Sequence, residues 1–252
     1  MARISYDEQT AAAFKAVREV PREGLSEWRE AVRAHLRPWP GMTLVDIGAG
    51  TGQFAAALSD WFDLRVLAVE PSAAMREQIP PAPAIQVLGG DASALPLPDG
   101  SADAAWLSLV LHHLPDLGVA AHEIRRVLRP RAPVLIRQGF PGRLDRVELI
   151  RWFPETARAV ETYPSVEETC TAFAAAGFGQ DALEQVRETY PTSLADFLGQ
   201  VDTFRQADTT MRQLTEEEFL RGKDRLRRAV RPAEDTATPE PRSNWLDLLV
   251  LR

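Results

Sequence analysis

The organisation of this chain follows from the stretch Leu44-Val45-Asp46-Ile47-Gly48-Ala49-Gly50-Thr51-Gly52-Gln53-Phe54. An apolar run, Thr43 to Ile47, leads into three glycines spaced two apart, and an alanine-rich run from Phe54 to Trp61 follows. This order predicts a strand, a tight turn and a helix. Glycine permits positive φ and a helix N-terminus presents free N–H groups, so the turn is a candidate ligand site.

The spacing of the glycines discriminates between ligands. A dinucleotide fingerprint is G-x-G-x-x-G, and a phosphate-binding P-loop places a lysine after its last glycine. Here Gly48, Gly50 and Gly52 are followed by Gln53, and no lysine is near. The carboxylate of Asp46, just before the turn, would repel a pyrophosphate but suits a cationic ligand or a set of N–H donors. An ordinary glycine-rich turn stays open as the alternative.

Size and composition limit the class of protein. The chain has 252 residues, of which 45% are hydrophobic, enough for one large domain or a domain with an added lid. A net charge of −7 argues against non-specific nucleic-acid binding, and a single cysteine excludes a disulfide framework or a zinc cluster. No apolar run approaches the roughly 20 residues of a membrane span, and the N-terminus has no secretory pattern. We therefore expect a cytoplasmic protein without a membrane span.

An acidic residue ends the second predicted strand. The run Arg65 to Glu70 reads as a short buried strand, and Ser72 can cap a helix over Ala73 to Ile79. Glu70 follows Gly48 by about 20 residues, the distance at which an acid at a strand end binds a ribose diol. Dinucleotide enzymes share this feature, so it favours nucleoside binding in general, and a surface carboxylate is the alternative.

Further strands follow at regular intervals. They are Ile85 to Gly90, the run beginning at Ala102 that continues over its carboxyl end to Leu114, and Pro130 to Gln138. A helix opened by Pro115-Asp116 runs to Leu128 between the last two. Five strands alternating with four helices predict a doubly wound parallel sheet, in which ligands bind beyond the carboxyl ends of the strands. The glycine turn, Glu70, Asp91 and the run Ser108 to His113 all fall at those ends.

Two of these segments carry a family resemblance. The stretch around Asp46 resembles the first motif of the class I S-adenosylmethionine-dependent methyltransferases, hydrophobic-hydrophobic-Asp-x-Gly-x-Gly-x-Gly. The run Gly90 to Leu97 resembles the family's Gly-Asp-Ala-x-x-Leu-Pro-Phe segment. The similarity covers roughly Trp39 to Gln138 and is strongest to the small-molecule subgroup akin to ubiquinone/menaquinone biosynthesis methyltransferases.

The resemblance implies an α/β fold: a doubly wound, mostly parallel, Rossmann-like seven-stranded sheet with an antiparallel last strand, plus helical lid segments. Gly177-Phe178 with Ala182 to Tyr190 is the candidate sixth strand, and Asn244 to Leu251 the seventh. We expect one composite domain with an N-terminal helical cap in residues 1–40, a cofactor-binding core in 41–140, and the rest of the sheet with lid insertions in 141–252.

The resemblance also implies S-adenosyl-L-methionine as cofactor and assigns residues to it. Asp91 would accept from the adenine amino group and the Ala92 N–H would meet the ring. Tyr6 and Arg18 would close over the cofactor, the arginine meeting its carboxylate; solvent-facing helix positions are the alternative. The expected cofactor-binding residues are Tyr6, Arg18, Asp46, Gly48, Gly50, Gly52, Glu70, Pro71, Met75, Asp91, Ala92, Ser108 and Leu109.

Methyl transfer from a sulfonium is an in-line displacement, so alignment is the protein's main task and can contribute about 7–11 kcal/mol. His112 and His113, with an ordinary pKa near 6.5, are the candidate catalytic bases; contact with cofactor or substrate and a structural role stay open. The sequence shows no carboxylate cluster of the kind that metal-dependent O-methyltransferases need, so no metal is expected. The fourth strand ends in Leu107-Ser108-Leu109, without the Asn/Asp-Pro-Pro-Tyr motif of base and amide methyltransferases.

The lid is expected in Gly142 to Thr162 and in the helical insertion Pro191 to Pro241. This insertion begins with apolar residues at helical spacing and contains a capping box at Thr215 to Glu218. Within Pro191 to Pro241, residues 232–241 are predicted to be a loop. Aromatic residues in these regions and the N-terminal cap either line a pocket or belong to the core: Trp28, Trp152, Phe153, Phe197 and Phe204.

The sequence thus predicts an enzyme that moves a methyl group from S-adenosyl-L-methionine to O, N or C of a small organic acceptor, with a natural-product intermediate as one candidate. An RNA or protein methyltransferase and a non-catalytic nucleoside-binding module are the alternatives. A nicotinamide oxidoreductase is disfavoured by Gln53. The sequence specifies neither the acceptor nor the oligomeric state.

Overall fold

The computed structural model describes Ala11, Lys15, residues 20–230 and residues 242–252. Tyr6 and Arg18 lie outside these residues, as do part of the predicted N-terminal helical cap and the predicted loop at residues 232–241. The strands of the described part are β1 (Thr43–Ile47), β2 (Arg65–Glu70), β3 (Ile85–Gly89), β4 (Ala104–Ser108), β5 (Val134–Gln138), β6 (Gln180–Tyr190) and β7 (Arg242–Leu251).

The seven strands of this part form one sheet in the order β3-β2-β1-β4-β5-β7-β6. β1 pairs in parallel with β2 and β4, β3 with β2, and β5 with β4, whereas β7 is antiparallel to both β5 and β6. The prediction of a mostly parallel, Rossmann-like sheet with an antiparallel last strand is confirmed. The carboxyl ends of β1 to β6 and the beginning of β7 therefore meet at one edge.

Helices cover both faces of the sheet. The helices of the described part, including those of the lid, are α1 (Ser26–Leu36), α2 (Gln53–Phe62), α3 (Ala73–Arg76), α4 (Leu117–Val127), α5 (Glu148–Trp152), α6 (Ala157–Val160), α7 (Val166–Ala175), α8 (Leu194–Ala207) and α9 (Glu216–Ala229). Alternate strand residues point to opposite faces. Leu44 packs with α1 and α2 on one face, and Val45 with α4 and α7 on the other.

The helix after Ser72 is shorter than the sequence pattern predicts. Helix α3 ends at Arg76, although the pattern extends it to Ile79. The N–H of Ile79 bonds back to the carbonyl of Arg76, three residues earlier, so the chain tightens beyond α3. Pro80 follows, and a proline disfavours helical backbone in the residue before it.

Two strand boundaries also differ from the prediction. β6 begins at Gln180 and β7 at Arg242, while residues Arg22–Leu25 form a 3-10 turn ahead of α1. The additional strand residues pair with each other across β6 and β7, at Gln180↔Leu251 and Tyr190↔Arg242. Hydrogen bonding between distant segments thus extends both strands past their apolar cores.

The lid segments form a small helical body of their own. α5, α8 and α9 share a hydrophobic cluster that includes Phe153, Phe197 and Phe219. A Cβ on Gly222 would lie 2.1 Å from the ring of Phe153, so this glycine allows α9 to approach the α5 end of the lid closely. The predicted capping box begins α9: Thr215 accepts from the Glu218 N–H and Glu218 accepts from the Thr215 N–H.

In the ranges that the structure describes, no helix combines the length and apolar character needed to cross a membrane. The division of the chain at residues 40 and 140 stays a prediction.

Candidate active site

A cavity of about 880 Å³ lies along the edge of the sheet where the parallel strands end. It extends from the glycine turn after β1 to the lid helices α5 and α8. Most of the predicted site residues among the described ones line it: Asp46, Gly48, Gly50, Glu70, Pro71, Met75, Asp91, Ala92, Ser108, Leu109, His112 and His113.

The three glycines of the turn all adopt positive φ, at 72° for Gly48, 56° for Gly50 and 81° for Gly52. A Cβ on Gly48 would lie 2.6 Å from Val110 Cγ2, and one on Gly52 would lie 2.7 Å from Ile79 Cγ2. Gly50 has open space at that position. Gly52 faces Ile79 and does not line the cavity, so it supports the shape of the turn, whereas Gly50 presents bare backbone to a ligand.

Glu70 ties the end of β2 to the turn. Its Oε2 accepts from the Gly50 N–H and its Oε1 from the Ser72 N–H, both at 2.9 Å. Burial raises the pKa of this carboxyl above its ordinary value. A carboxylate oxygen accepts two hydrogen bonds, so Glu70 can hold the backbone and still accept from hydroxyl groups of a ligand in the cavity.

Asp46 is buried beneath the turn, and its Oδ2 has no hydrogen-bond partner among the described residues. Burial and the charge of Glu70 raise the pKa of Asp46 to about 8, against one backbone hydrogen bond from Ala55. The carboxyl therefore holds a proton at neutral pH. A positive charge placed in the cavity would favour the ionised form.

The loop after β3 is fixed by Asp91. Its Oδ1 accepts from the N–H of Ser93 at 2.9 Å and from the Ser93 hydroxyl, and Asp91 forms an isolated bridge with Ala94. These bonds orient the carboxylate at the cavity wall next to Ala92, which is buried.

His112 and His113 lie on a 3-10 turn after β4, where Leu109 takes a φ of 54° and redirects the chain. The ring of His112 stacks on Tyr163 with centroids 4.0 Å apart and an angle of 8°, and its centroid also lies 4.0 Å from that of His113. Tyr163 follows α6 in the lid. Tyr163 therefore contacts the candidate base His112 directly, which no local sequence signal indicated.

A buried polar network lies at the other end of the cavity and was not predicted. Arg137, at the end of β5, forms an ion pair with Glu188 of β6 and donates to the Ser108 hydroxyl at 3.1 Å. Glu188 Oε1 also accepts from the Tyr190 hydroxyl and from Asn244 Nδ2, each at 2.8 Å. Burial alone would raise the pKa of Glu188, but the guanidinium and these donors hold it below its ordinary value.

A second ion pair joins the sheet to the lid. Arg242, at the start of β7, donates to both carboxylate oxygens of Glu148 on α5, at 2.8 and 2.7 Å. Its guanidinium also lies 4.0 Å from the ring centroid of Phe197 on α8. Asn244 Oδ1 accepts from the Glu148 N–H at 3.0 Å. The beginning of β7 thus positions both lid helices over the cavity.

The aromatic candidates divide between the cavity and the packed interior. Phe197 and Phe204 line the cavity. Trp28 is fully buried in the core beside α2, and Phe153 lies in the lid cluster with Trp152 packed against it.

Comparison with known proteins agrees with this geometry. Residues 45–136 match the family described as the methyltransferase domain. The chain is 34% identical over 116 residues to the ubiquinone/menaquinone biosynthesis C-methyltransferase of Caulobacter sp. strain K31, covering 41% of this chain and 46% of that protein. Over these residues the chain is similar to the class I S-adenosylmethionine-dependent methyltransferases.

A second methyltransferase relative has a different named substrate. The chain is 29% identical over 164 residues to the 2-methyl-6-phytyl-1,4-hydroquinone methyltransferase of Synechocystis, covering 61% of this chain and 51% of that enzyme. The chain spans about half the length of the curated relatives it matches. The relatives therefore support the resemblance to the family, and they are named for different acceptors.

The similarity in fold extends over most of the chain. A candidate methyltransferase of an antibiotic biosynthesis pathway from Anabaena variabilis superposes with a TM-score of 0.71 at 20% identity, covering 89% of this chain and 96% of that one. This likeness supports the Rossmann-like architecture, including the parts outside residues 45–136.

The cofactor of this family is S-adenosyl-L-methionine, and the residues at the β1 end of the cavity fit it. Gly50 leaves room for close approach, and Glu70 offers acceptors to a ribose diol. Asp46, whose Oδ2 has no partner among the described residues and whose pKa is raised, suits a ligand that carries positive charge. Among the described residues, no group of three or more His, Cys, Asp or Glu side chains could hold a metal ion. The prediction of a metal-free reaction remains a prediction.

Proposed function

We propose that this protein transfers a methyl group from S-adenosyl-L-methionine to O, N or C of a small organic acceptor. The observation that carries the proposal is the continuous cavity that runs from the glycine turn, past His112 and His113, to lid residues that include Leu149, Phe197 and Phe204. It gives a methyl donor and an acceptor adjoining places in one continuous space.

In this proposal the chain acts mainly by alignment. The glycine turn and Glu70 hold the ribose end of the cofactor, and Asp91 with the Ala92 N–H holds the adenine. His112 and His113 lie past the end of β4, where either ring can contact the acceptor or take a proton from it. Tyr163 orients His112 by stacking. Apolar lid residues that line the cavity exclude water from the reacting groups: Leu144, Val147, Leu149, Val160, Phe197 and Phe204.

The lid favours a small acceptor over a macromolecule. Described residues of both lid insertions, among them Leu149, Phe197 and Phe204, line one end of the cavity and suit a small acceptor. The basic residues of α9 also face carboxylates: Lys223 pairs with Asp202, and Arg225 with Glu155. An exposed basic surface of the kind that RNA binding requires is therefore largely neutralised.

The relatives suggest where to look for the acceptor. The Synechocystis relative is named for a hydroquinone substrate, and the Anabaena neighbour for an antibiotic biosynthesis pathway. Phenolic natural-product intermediates are therefore the first compounds to test. A cytoplasmic location, expected from the sequence, also stays a prediction.

A transfer assay tests the proposal. Radiolabelled S-adenosyl-L-methionine is incubated with the protein and a panel of phenols, hydroquinones and amines, and organic-phase label is counted. The proposal expects label on at least one acceptor, reduced by Tyr163→Ala. Cofactor binding without transfer to any acceptor would instead support a non-catalytic nucleoside-binding module, and salt-dependent transfer to tRNA or rRNA would support an RNA methyltransferase.

A further inference from the structure

The loop that follows β3, residues 90–97, carries two residues that the proposed function places at the adenine ring. Asp91 lines the cavity and accepts from the Ser93 N–H at 2.9 Å, and Ala92 is buried next to it in the chain. The loop belongs to no helix or strand of the described structure. Its shape therefore depends on its own turns and on side chains that reach it from other elements.

The loop folds back on itself and links Asp91 to Leu95. The Ala94 N–H donates to the Asp91 carbonyl at 3.2 Å, which closes a turn just before Leu95. A Cβ on Gly90 would lie 2.7 Å from Pro96 Cδ, so the start and the end of the loop lie against each other. A displacement of Leu95 would therefore be passed on to Gly90 and Asp91.

Two charged residues of α4 hold the backbone of Leu95. Glu123 Oε1 accepts from the Leu95 N–H at 2.8 Å. Arg126 donates through Nη2 to the Leu95 carbonyl at 3.2 Å and through Nη1 to the Leu97 carbonyl at 2.9 Å. Side chains of one helix thus fix both backbone polar groups of Leu95, whose own side chain is buried in the core beside α4.

Glu123 and Arg126 also bind each other, three residues apart on α4. Arg126 Nε and Nη2 donate to Oε2 and Oε1 of Glu123, at 2.9 and 2.6 Å. These hydrogen bonds hold the pKa of Glu123 below its ordinary value, so the pair is charged at neutral pH. Asp99 accepts from the same guanidinium, but 80% of its side chain is exposed, and exposed pairs contribute little.

We infer that Glu123 and Arg126 are positioning residues for cofactor recognition: through Leu95 they place Asp91 so that it selects a purine with an amino group. This inference rests on the proposed function, in which Asp91 accepts from that amino group. Neither Glu123 nor Arg126 is among the described residues that line the cavity, so the pair acts through the loop. Hydrogen bonds weaken steeply as their angle falls, so a small displacement of Asp91 reduces the selection.

Two cofactor analogues measure this selection. S-adenosylhomocysteine carries the 6-amino group, whereas S-inosylhomocysteine has an oxo group there and places an acceptor opposite Asp91. Each compound is titrated by calorimetry into the wild type, Arg126→Met and Glu123→Ala. The wild type is expected to bind the adenine compound at least about tenfold more tightly, because the oxo group leaves the carboxylate without a donor.

Each variant should reduce this preference by at least about threefold, since the loop is no longer held at Leu95. Arg125→Met is the matched control, because Arg125 is the adjacent arginine on α4 but donates to the carbonyls of Leu128 and Arg129 beyond the helix end. It should leave the preference unchanged. Glu123→Gln keeps an oxygen that can accept from the Leu95 N–H, and should retain most of the preference.

The ratio of the two affinities separates positioning from a general loss of stability, which would weaken both compounds alike. A preference that is the same in Arg126→Met, Glu123→Ala and the wild type overturns the inference, even where the variants bind more weakly. Absence of S-adenosylhomocysteine binding by the wild type would instead contradict the proposed function. Wild-type binding without a preference for the adenine compound would contradict the assignment of Asp91 and, with it, the inference.

Discussion

The carboxylate of Glu70 accepts a hydrogen bond from the backbone N–H of Gly50 at 2.9 Å. This bond joins the end of β2 to the residue of the glycine turn that has open space around it. A single side chain thereby sets the shape of the turn and presents an acid at the same edge of the cavity. The residue predicted to bind the ribose is also the residue that shapes the backbone around it.

Replacing Glu70 with Gln should weaken binding of S-adenosyl-L-methionine by about 10- to 100-fold, because one charge-assisted acceptor is lost and one of two backbone donors loses its partner. The dissociation constants of the wild type and the variant are compared by calorimetry. Glu77→Gln, an exposed change of the same kind just after α3, is the control and should bind as the wild type does. Equal losses in both variants would contradict the role of Glu70.

Cofactor binding should release protons. Burial and Glu70 raise the pKa of Asp46 to about 8, so the carboxyl is mostly protonated at pH 7. A bound sulfonium favours the carboxylate and lowers this pKa, so affinity should rise as pH increases from about 6 to 8. Calorimetry in buffers of different ionisation enthalpy measures the release. Asp46→Asn should abolish it, and a binding heat independent of buffer would contradict the account.

The turn glycines should differ in their tolerance of alanine. Gly52→Ala introduces a Cβ 2.7 Å from Ile79 in backbone of positive φ, and should destabilise the fold by about 2–4 kcal/mol. Gly41 has a similar φ of 78° with open space around it, so Gly41→Ala should cost only about 1 kcal/mol. Urea unfolding measures both. Similar losses would mean that backbone strain, and not the contact with Ile79, explains the glycine at position 52.

The buried pair of Arg137 and Glu188 should contribute far more to stability than an exposed one. Arg137→Met leaves Glu188 buried without its cation and should lower the free energy of unfolding by about 3–5 kcal/mol. Arg187→Met, on the same strand as Glu188, removes a pair with Glu27 in which both partners are nearly half exposed, and should cost about 0–1 kcal/mol. Thermal and urea unfolding of both variants check the difference.

The sheet and its cofactor end could be predicted because their signals are local. The predicted strands, beginning with Thr43 to Ile47, alternate with helical segments at regular intervals. The glycine turn and Glu70 lie within one βαβ unit. The sequence pattern predicted a helix α3 that is too long. Pro80 disfavours helical backbone at Ile79, the residue before it, and so favours the turn there.

The end of the cavity formed by β5, β6 and β7 could not be predicted in the same way. Arg137 follows an apolar strand core, and its partner Glu188 lies 51 residues further along the chain. Arg242 and Glu148 are 94 residues apart. Only the placement of β7 between β5 and β6 brings these pairs together, and no periodicity or motif records that placement. The contact between Tyr163 and His112 could not be predicted either, because it too joins residues that are distant in sequence.

Calorimetric titration of S-adenosyl-L-methionine into the wild type and Asp91→Ala tests the central claim most directly. Asp99→Ala, which removes an exposed carboxylate paired with Arg126 near the same loop, is the control. The account predicts saturable binding of one cofactor per chain, weakened at least about tenfold by Asp91→Ala and unchanged by Asp99→Ala. No detectable binding at millimolar cofactor, or equal affinity in all three proteins, would contradict it.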